Sequence, residues 1–304
     1  MPAAFSLPKI STNVRFAASS LLFPELAGTL AERLFLTPPR KGAMSALDLI
    51  DARSGLVEHK GRHLATWTWG ARPSPGAASA APAVLLVHGW GGYAAQMRAF
   101  VFPLLSAGYR VIAYDHPAHG VSEGRLTGLP DLADALAEVA WHHGEVKAVV
   151  AHSLGAAAAA LAVARGLRVE SVVAVSPPSD LVGYSRRFAR WHWMPEAARR
   201  AMQASIEDRY GVRWEDLELS RLAPRLGARA LVIHDRDDRL VPWTQGASFA
   251  HRWPGARLLS TDGLGHRRIL EAEAVTRAAA DFIARRSGVA SVAAPALPDP
   301  APIY

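Results

Sequence analysis

The string Val149-Val150-Ala151-His152-Ser153-Leu154-Gly155 sets a serine between an apolar run and an alanine-rich stretch. Such a passage reads as a buried strand turning sharply into a helix, a turn that lifts the serine hydroxyl clear of the backbone. The turn strains the serine's own backbone, so the residues two before and two after it must be small. Ala151 and Gly155 meet that demand, although glycine is the more usual residue at the first of these positions. A serine hydroxyl alone is a weak nucleophile. It needs a neutral imidazole to take its proton and a carboxylate to fix the tautomer of that imidazole and steady the imidazolium.

Both partners follow in the chain. Ala230-Leu231-Val232-Ile233 runs into His234-Asp235-Arg236-Asp237-Asp238-Arg239-Leu240-Val241-Pro242, and farther on stands Asp262-Gly263-Leu264-Gly265-His266. The order serine, acid, histidine suits acyl transfer at an elbow serine, with Ser153 as nucleophile and His266 as base. Three aspartates, Asp235, Asp237 and Asp238, compete for the role of the acid.

Acyl transfer also builds negative charge on a carbonyl oxygen, which fixed backbone amides stabilise without reorganising. Val84-Leu85-Leu86-Val87 ends in His88-Gly89-Trp90-Gly91-Gly92, a strand followed by a loop whose glycines allow close backbone approach. The amides of Trp90 and Leu154 are therefore assigned to the oxyanion hole. His88, His116 and His119 read as structural histidines, and Asp115, in Asp115-His116-Pro117-Ala118-His119-Gly120, reads as a loop cap and not a general base.

The elements that must hold these groups are visible as alternating patterns. Short apolar runs at Val84 to Val87, Arg110 to Tyr114, Val146 to Ala151, Val172 to Val175, Ala230 to Ile233 and Arg257 to Ser260 are separated by helical patterns. They predict a mostly parallel, doubly wound α/β sheet covered on both faces. Leu64 to Trp69 alternates as an early strand. Residues 1–60 are expected to hold a helical lead-in, closed by Thr37-Pro38-Pro39, and the start of the core. The core would then run over 61–179 and 227–286, interrupted by a helical insertion at 180–226. The stretch Arg72 to Pro82 reads as a surface linker, and 287–304, rich in alanine and proline, as a disordered tail.

Taken together, His88-Gly89-Trp90-Gly91-Gly92, Asp115 to Gly120 with Ser122, Ala151 to Gly155, Asp238 to Pro242 and Gly265-His266 resemble the α/β-hydrolase superfamily, in particular bacterial esterase-like serine hydrolases with a short helical cap. The resemblance covers roughly residues 60 to 286. It implies a carboxylic ester substrate cleaved through an acyl-enzyme on Ser153. In this family the acid usually stands four residues before the proline that opens the next segment, so Pro242 selects Asp238. An acyltransferase or a thioesterase would use the same three residues, and a non-catalytic member of the fold would keep the pocket without the chemistry.

The insertion carries Tyr184, Phe188, Trp191 and Trp193, which are candidates for an acyl pocket, against the plainer reading that they pack the insertion onto the core. Arg186, Arg187, Arg190, Arg199 and Arg200 against Glu196 read as a solvated basic face.

Composition limits the rest. With 304 residues, 50% hydrophobic and 20% charged, the chain can bury a large core, and without cysteine it has no disulfide, thiolate metal site or cysteine nucleophile. The formal charge of +7 is scattered arginine with no nucleic-acid-binding motif, so no nucleic-acid partner is expected. Neither a metal nor an organic cofactor is implied, since the histidines do not occur at ligand spacing beside carboxylates on a recognisable helix and no dinucleotide fingerprint follows the first strand. Ser19 and Ser20 interrupt the apolar stretch Phe16 to Phe23, which reads as a helix and not a signal peptide. His152, Ser153 and Gly155 interrupt the longer one from Ala148 to Ala164, so no integral membrane segment is expected and the protein is expected to be cytoplasmic.

Overall fold

The computed structural model describes residues 24–39, 51–70 and 81–285. The helix expected over Phe16 to Phe23, nearly all of the linker from Arg72 and the tail from Ser287 lie outside the described residues.

In chain order, helix α1 (Pro24–Leu36) precedes strands β1 (Arg53–His59), β2 (Arg62–Trp69) and β3 (Ala83–Val87). A 3₁₀ segment (Ala94–Phe100) leads into α2 (Val101–Ser106), followed by β4 (Arg110–Tyr114), α3 (Leu129–His142), β5 (Val146–His152), α4 (Leu154–Ala164) and β6 (Ser171–Val175). Four helical segments intervene before the sheet resumes: α5 (Leu181–Trp191), α6 (Glu196–Tyr210), a 3₁₀ turn (Trp214–Leu217) and α7 (Leu219–Leu222), with Ala223–Arg225 as a last 3₁₀ turn. The chain then adds β7 (Arg229–Asp235), α8 (Trp243–Arg252), β8 (Arg257–Thr261), α9 (Gly265–Arg268) and α10 (Glu273–Ala284).

Among the described residues eight strands form one sheet in the order β1-β2-β4-β3-β5-β6-β7-β8. The pairs β1/β2 and β2/β4 are antiparallel, and the remaining neighbours are parallel. Every residue of β3, β4 and β6 is buried, as expected of strands covered on both faces. Alternate residues divide between two cores. Leu85 and Val87 face α3 and α4, whereas Val84 and Leu86 face α2 and α10. The fold is thus α/β, a mostly parallel doubly wound sheet. Thr37, Pro38 and Pro39 follow directly on the end of α1.

Candidate active site

Ser153 sits between β5 and α4 with φ 53° and ψ −125°, a left-handed backbone that a serine adopts only under constraint. Its amide donates to the Val175 carbonyl at 2.8 Å, anchoring the turn to β6. A Cβ on Gly155 would stand 2.4 Å from the His88 carbonyl oxygen, so the helix can approach the β3 exit loop only with glycine there.

The imidazole comes from α9 and the carboxylate from the loop after β7. His266 Nε2 lies 3.1 Å from Ser153 Oγ, and His266 Nδ1 lies 2.7 Å from Asp238 Oδ2. Serine to histidine to aspartate is therefore one continuous hydrogen-bonded series, with Nδ1–H donating to the carboxylate and Nε2 open to the serine proton. Asp238 is buried. Its other oxygen accepts the amides of Leu240 and Val241, each at 2.9 Å. Burial on its own would push the carboxyl up, but hydrogen bonds from His234 and His266 outweigh it and hold Asp238 well below the usual carboxylate range.

Two further histidines frame this series. His234 is fully buried, and its Nε2 faces two acceptors, the Val241 carbonyl at 2.9 Å and Asp238 Oδ2 at 3.3 Å, so that nitrogen carries the hydrogen. His152 donates from Nε2 to the His266 carbonyl at 2.9 Å, and its ring lies 4.7 Å from that of His266. Burial, and then the neighbouring His266, lower its pKa well below the ordinary histidine value, so the ring beside His266 stays neutral.

The three aspartates after β7 do different things. Asp238 meets the histidine. Asp235, the last residue of β7, accepts the amides of Leu264 and Gly265 at 3.0 and 2.8 Å and the Thr261 hydroxyl at 2.7 Å, which positions the loop that delivers His266. Asp237 accepts the Gly263 amide at 2.8 Å on the surface side of the same loop.

Around the β3 exit loop, His88 donates from Nδ1 to the Gly89 carbonyl at 2.7 Å and accepts the His116 amide on Nε2 at 3.0 Å. Burial, with His116 and His119 alongside, drives its pKa far down, and the ring remains a neutral strut between two loops. Tyr114 Oη stands 3.0 Å from His116 Nδ1, and His119 Nδ1 donates to the Pro117 carbonyl at 2.9 Å. Asp115 caps both loops by accepting the amides of Ala94 and Val121 at 2.7 and 2.8 Å. Burial raises its carboxyl to about 6, although those two bonds pull the other way. Trp90 lies in the β3 exit loop and Leu154 opens α4, where first-turn amides have no partner within the helix.

Trp90 and Leu154 also border an apolar cavity of about 60 Å³, whose walls include Phe35, Leu129, Tyr184 and Trp214. Of the four aromatic candidates in the insertion, Tyr184 lines this cavity. Phe188 stands one layer behind it, edge-on to Phe35 at 4.9 Å. Trp191 and Trp193 do not line it, and are 47% and 67% exposed. The reason is helical phase: α5 buries Leu181, Ser185 and Ala189, a stripe four residues apart that leaves Trp191 on another face, and Trp193 lies in the turn beyond. Phe35, on α1, was not legible as a wall residue from the sequence, because nothing local tells a lead-in helix what it covers.

The basic face is also reshaped. Arg199 is buried, bonded in bidentate fashion to Glu196 at 2.8 Å and also to Ser185 and Gln203, so it belongs to the packing of α6 against α5. Among the described residues no group of three or more metal-ligating side chains is placed to hold an ion, and no helix is long and apolar enough to cross a membrane.

Residues 82–218 match the family described as the alpha/beta hydrolase fold. In structure the chain is similar to the esterase Pf2001 of Pyrococcus furiosus, with a TM-score of 0.61 and 23% identity over 82% of this chain and 98% of that one. It is also similar to Est1E of Butyrivibrio proteoclasticus, solved with ferulic acid bound, with a TM-score of 0.57 and 18% identity over 75% of this chain and 97% of that one. A stretch of 101 residues, 32% of this chain, is 43% identical to the dihydrolipoyllysine-residue acetyltransferase component of the acetoin cleaving system of Cupriavidus necator. The match spans only 27% of that relative's length. With its eight-stranded sheet, its elbow serine and this match over residues 82–218, the chain has the α/β-hydrolase fold.

Proposed function

We propose that the protein hydrolyses carboxylic esters of small molecules through an acyl-enzyme on Ser153. The observation that carries this reading is the hydrogen-bonded series from Ser153 through His266 to Asp238. Ser153 Oγ attacks the ester carbonyl carbon as its proton passes to His266 Nε2, and Asp238 steadies the imidazolium. The oxyanion that forms is held by the amides of Trp90 and Leu154. Collapse of the tetrahedral intermediate breaks the ester C–O bond, and the alkoxide leaves with the proton from His266. Water, deprotonated by His266, then attacks the acyl-enzyme and returns free Ser153 and a carboxylic acid.

In this reading residues 180–226 form a cap over the core segments 61–179 and 227–286, and the pocket begins at the oxyanion amides. The esterases among its neighbours in fold agree with it. The test is a panel of p-nitrophenyl esters with wild-type protein and Ser153→Ala. Turnover confined to the wild type supports hydrolysis on Ser153, and equal turnover by both refutes it. Addition of alcohol acceptors, with product analysis, separates hydrolysis from acyl transfer.

A further inference from the structure

Helix α1 lies far in sequence from Ser153, Asp238 and His266, yet its last turn lines the cavity bordered by Trp90 and Leu154. Phe35 in its last turn is the hub of an aromatic cluster, with ring centroids 5.8 Å from Tyr184, 4.9 Å from Phe188 and 5.7 Å from Trp214. Phe35 and Leu36 line the same apolar cavity as Trp90 and Leu154. The helix is held firmly. A Cβ on Gly28 would lie 2.6 Å from Ala201 Cβ, so α1 and α6 touch backbone to side chain at that point. Buried Glu32 accepts from Ser205 and pairs with Arg209 of α6, and the Leu36 carbonyl accepts the Thr127 amide at 2.9 Å.

Resting on the ester-hydrolase reading above, we infer that this cavity is the acyl-chain site, that Phe35 sets its depth, and that the substrates are esters of short unbranched carboxylic acids. Three observations converge on this. Trp90 and Leu154, the two residues assigned to the oxyanion, both line the cavity, so a chain attached to the reacting carbonyl has an apolar site beside it. The walls are mostly hydrocarbon, and the Thr127 hydroxyl is engaged by Asp131 at 3.0 Å, so an acid's alkyl tail suits the cavity better than a polar group. Its volume of about 60 Å³, at roughly 10–15 Å³ for each water-sized group, admits about four to six heavy atoms. That corresponds to acyl groups near butanoyl to hexanoyl. A longer chain meets the Phe35 ring.

The experiment is a series of p-nitrophenyl esters from acetate to dodecanoate, with kcat/KM measured for wild type, Phe35→Ala, Phe35→Trp and Trp191→Ala, and a thermal melt to confirm that each variant is folded. The wild type should peak at butanoate to hexanoate. Phe35→Ala should move the peak to longer chains and raise the decanoate-to-butanoate ratio at least about tenfold, whereas Phe35→Trp should move it toward acetate. Trp191→Ala should leave the ranking unchanged. An unchanged ranking in folded Phe35→Ala and Phe35→Trp, with esters still hydrolysed, overturns the depth assignment alone. A parallel series of alkyl acetates separates the two sides of the ester: if Phe35 changes the ranking by alcohol length and not by acyl length, the cavity holds the leaving group and the inference fails. Absence of any ester turnover by the wild type overturns the hydrolase reading along with it.

Discussion

Asp235 Oδ1 accepts the amide of Gly265 at 2.8 Å, so the end of the seventh strand is tied directly to the residue before His266. Position and chemistry are divided between two carboxylates three residues apart: Asp235 aims the loop, and Asp238 meets the ring. Asp235→Ala leaves the Leu264 and Gly265 amides and the Thr261 hydroxyl without their acceptor. The expected outcome is a loss of about 1–3 kcal/mol of stability, as for an unsatisfied buried group, and a lower kcat with KM nearly unchanged. Denaturant unfolding and steady-state kinetics check the two parts separately.

The acid itself is tested by contrast. Asp238→Asn should lower kcat by roughly 10⁴-fold, because the amide favours the wrong imidazole tautomer. Asp237→Asn, which affects only a surface bond to Gly263, should stay within about threefold of wild type, in line with the small contribution of exposed groups. Equal losses in the two variants would move the acid assignment away from Asp238.

His234 gives the carboxylate a second donor. His234→Phe keeps a ring of similar shape and removes the Nε2–H that lies 2.9 Å from the Val241 carbonyl and 3.3 Å from Asp238. The Asp238 carboxyl should then titrate higher than in the wild type, and kcat should fall about ten- to a hundredfold, while fluorophosphonate labelling of Ser153 slows without being lost. The acid limb of the pH–kcat profile should move upward. A variant with reduced stability and an unmoved profile would show that His234 only packs.

Asp131 predicts a pH effect on stability. It ties the first two strands to α3 through His59 at 3.2 Å, Arg62 at 2.7 and 3.0 Å and the Thr127 hydroxyl at 3.0 Å. Burial would raise its carboxyl, but the bonds from His59 and Arg62 prevail and hold it well below the usual range. A carboxyl depressed in the folded state contributes stability that is present in full above its unfolded value of about 3.9, and that contribution is lost as pH falls toward the folded value. Wild type should therefore be more stable than Asp131→Asn at pH 7, with the gap narrowing below about pH 4. Thermal melts of both proteins from pH 7 to pH 3 provide the comparison.

Much of this was legible in the chain. The strands buried on both faces declare themselves as unbroken apolar runs, such as Val84 to Val87 and Val172 to Val175, because a parallel sheet leaves them no polar face. The elbow is legible because it demands small residues at fixed offsets. Strand β1 was not, since it lies at the sheet edge and five of its seven residues, among them Arg53, Ser54 and Glu58, are exposed or only lightly covered. The wall formed by Phe35 was hidden for another reason: which face of one helix meets which face of another is a tertiary fact. Trp191 and Trp193, named as pocket candidates by residue type, are 47% and 67% exposed and lie outside the lining of the cavity beside Trp90 and Leu154, because helical phase decides which side of α5 packs.

The account stands or falls on a covalent acyl-serine. The most direct measurement is intact-protein and peptide mass spectrometry after reaction with a fluorophosphonate probe, and after rapid acid quench during turnover of a p-nitrophenyl ester, in wild type and Ser153→Ala. The expected result is a single adduct mapped to Ser153, carrying the phosphonyl group in the first case and the substrate's acyl group in the second, with neither formed in Ser153→Ala. An adduct on another residue, or near-normal ester turnover by folded Ser153→Ala, would contradict it.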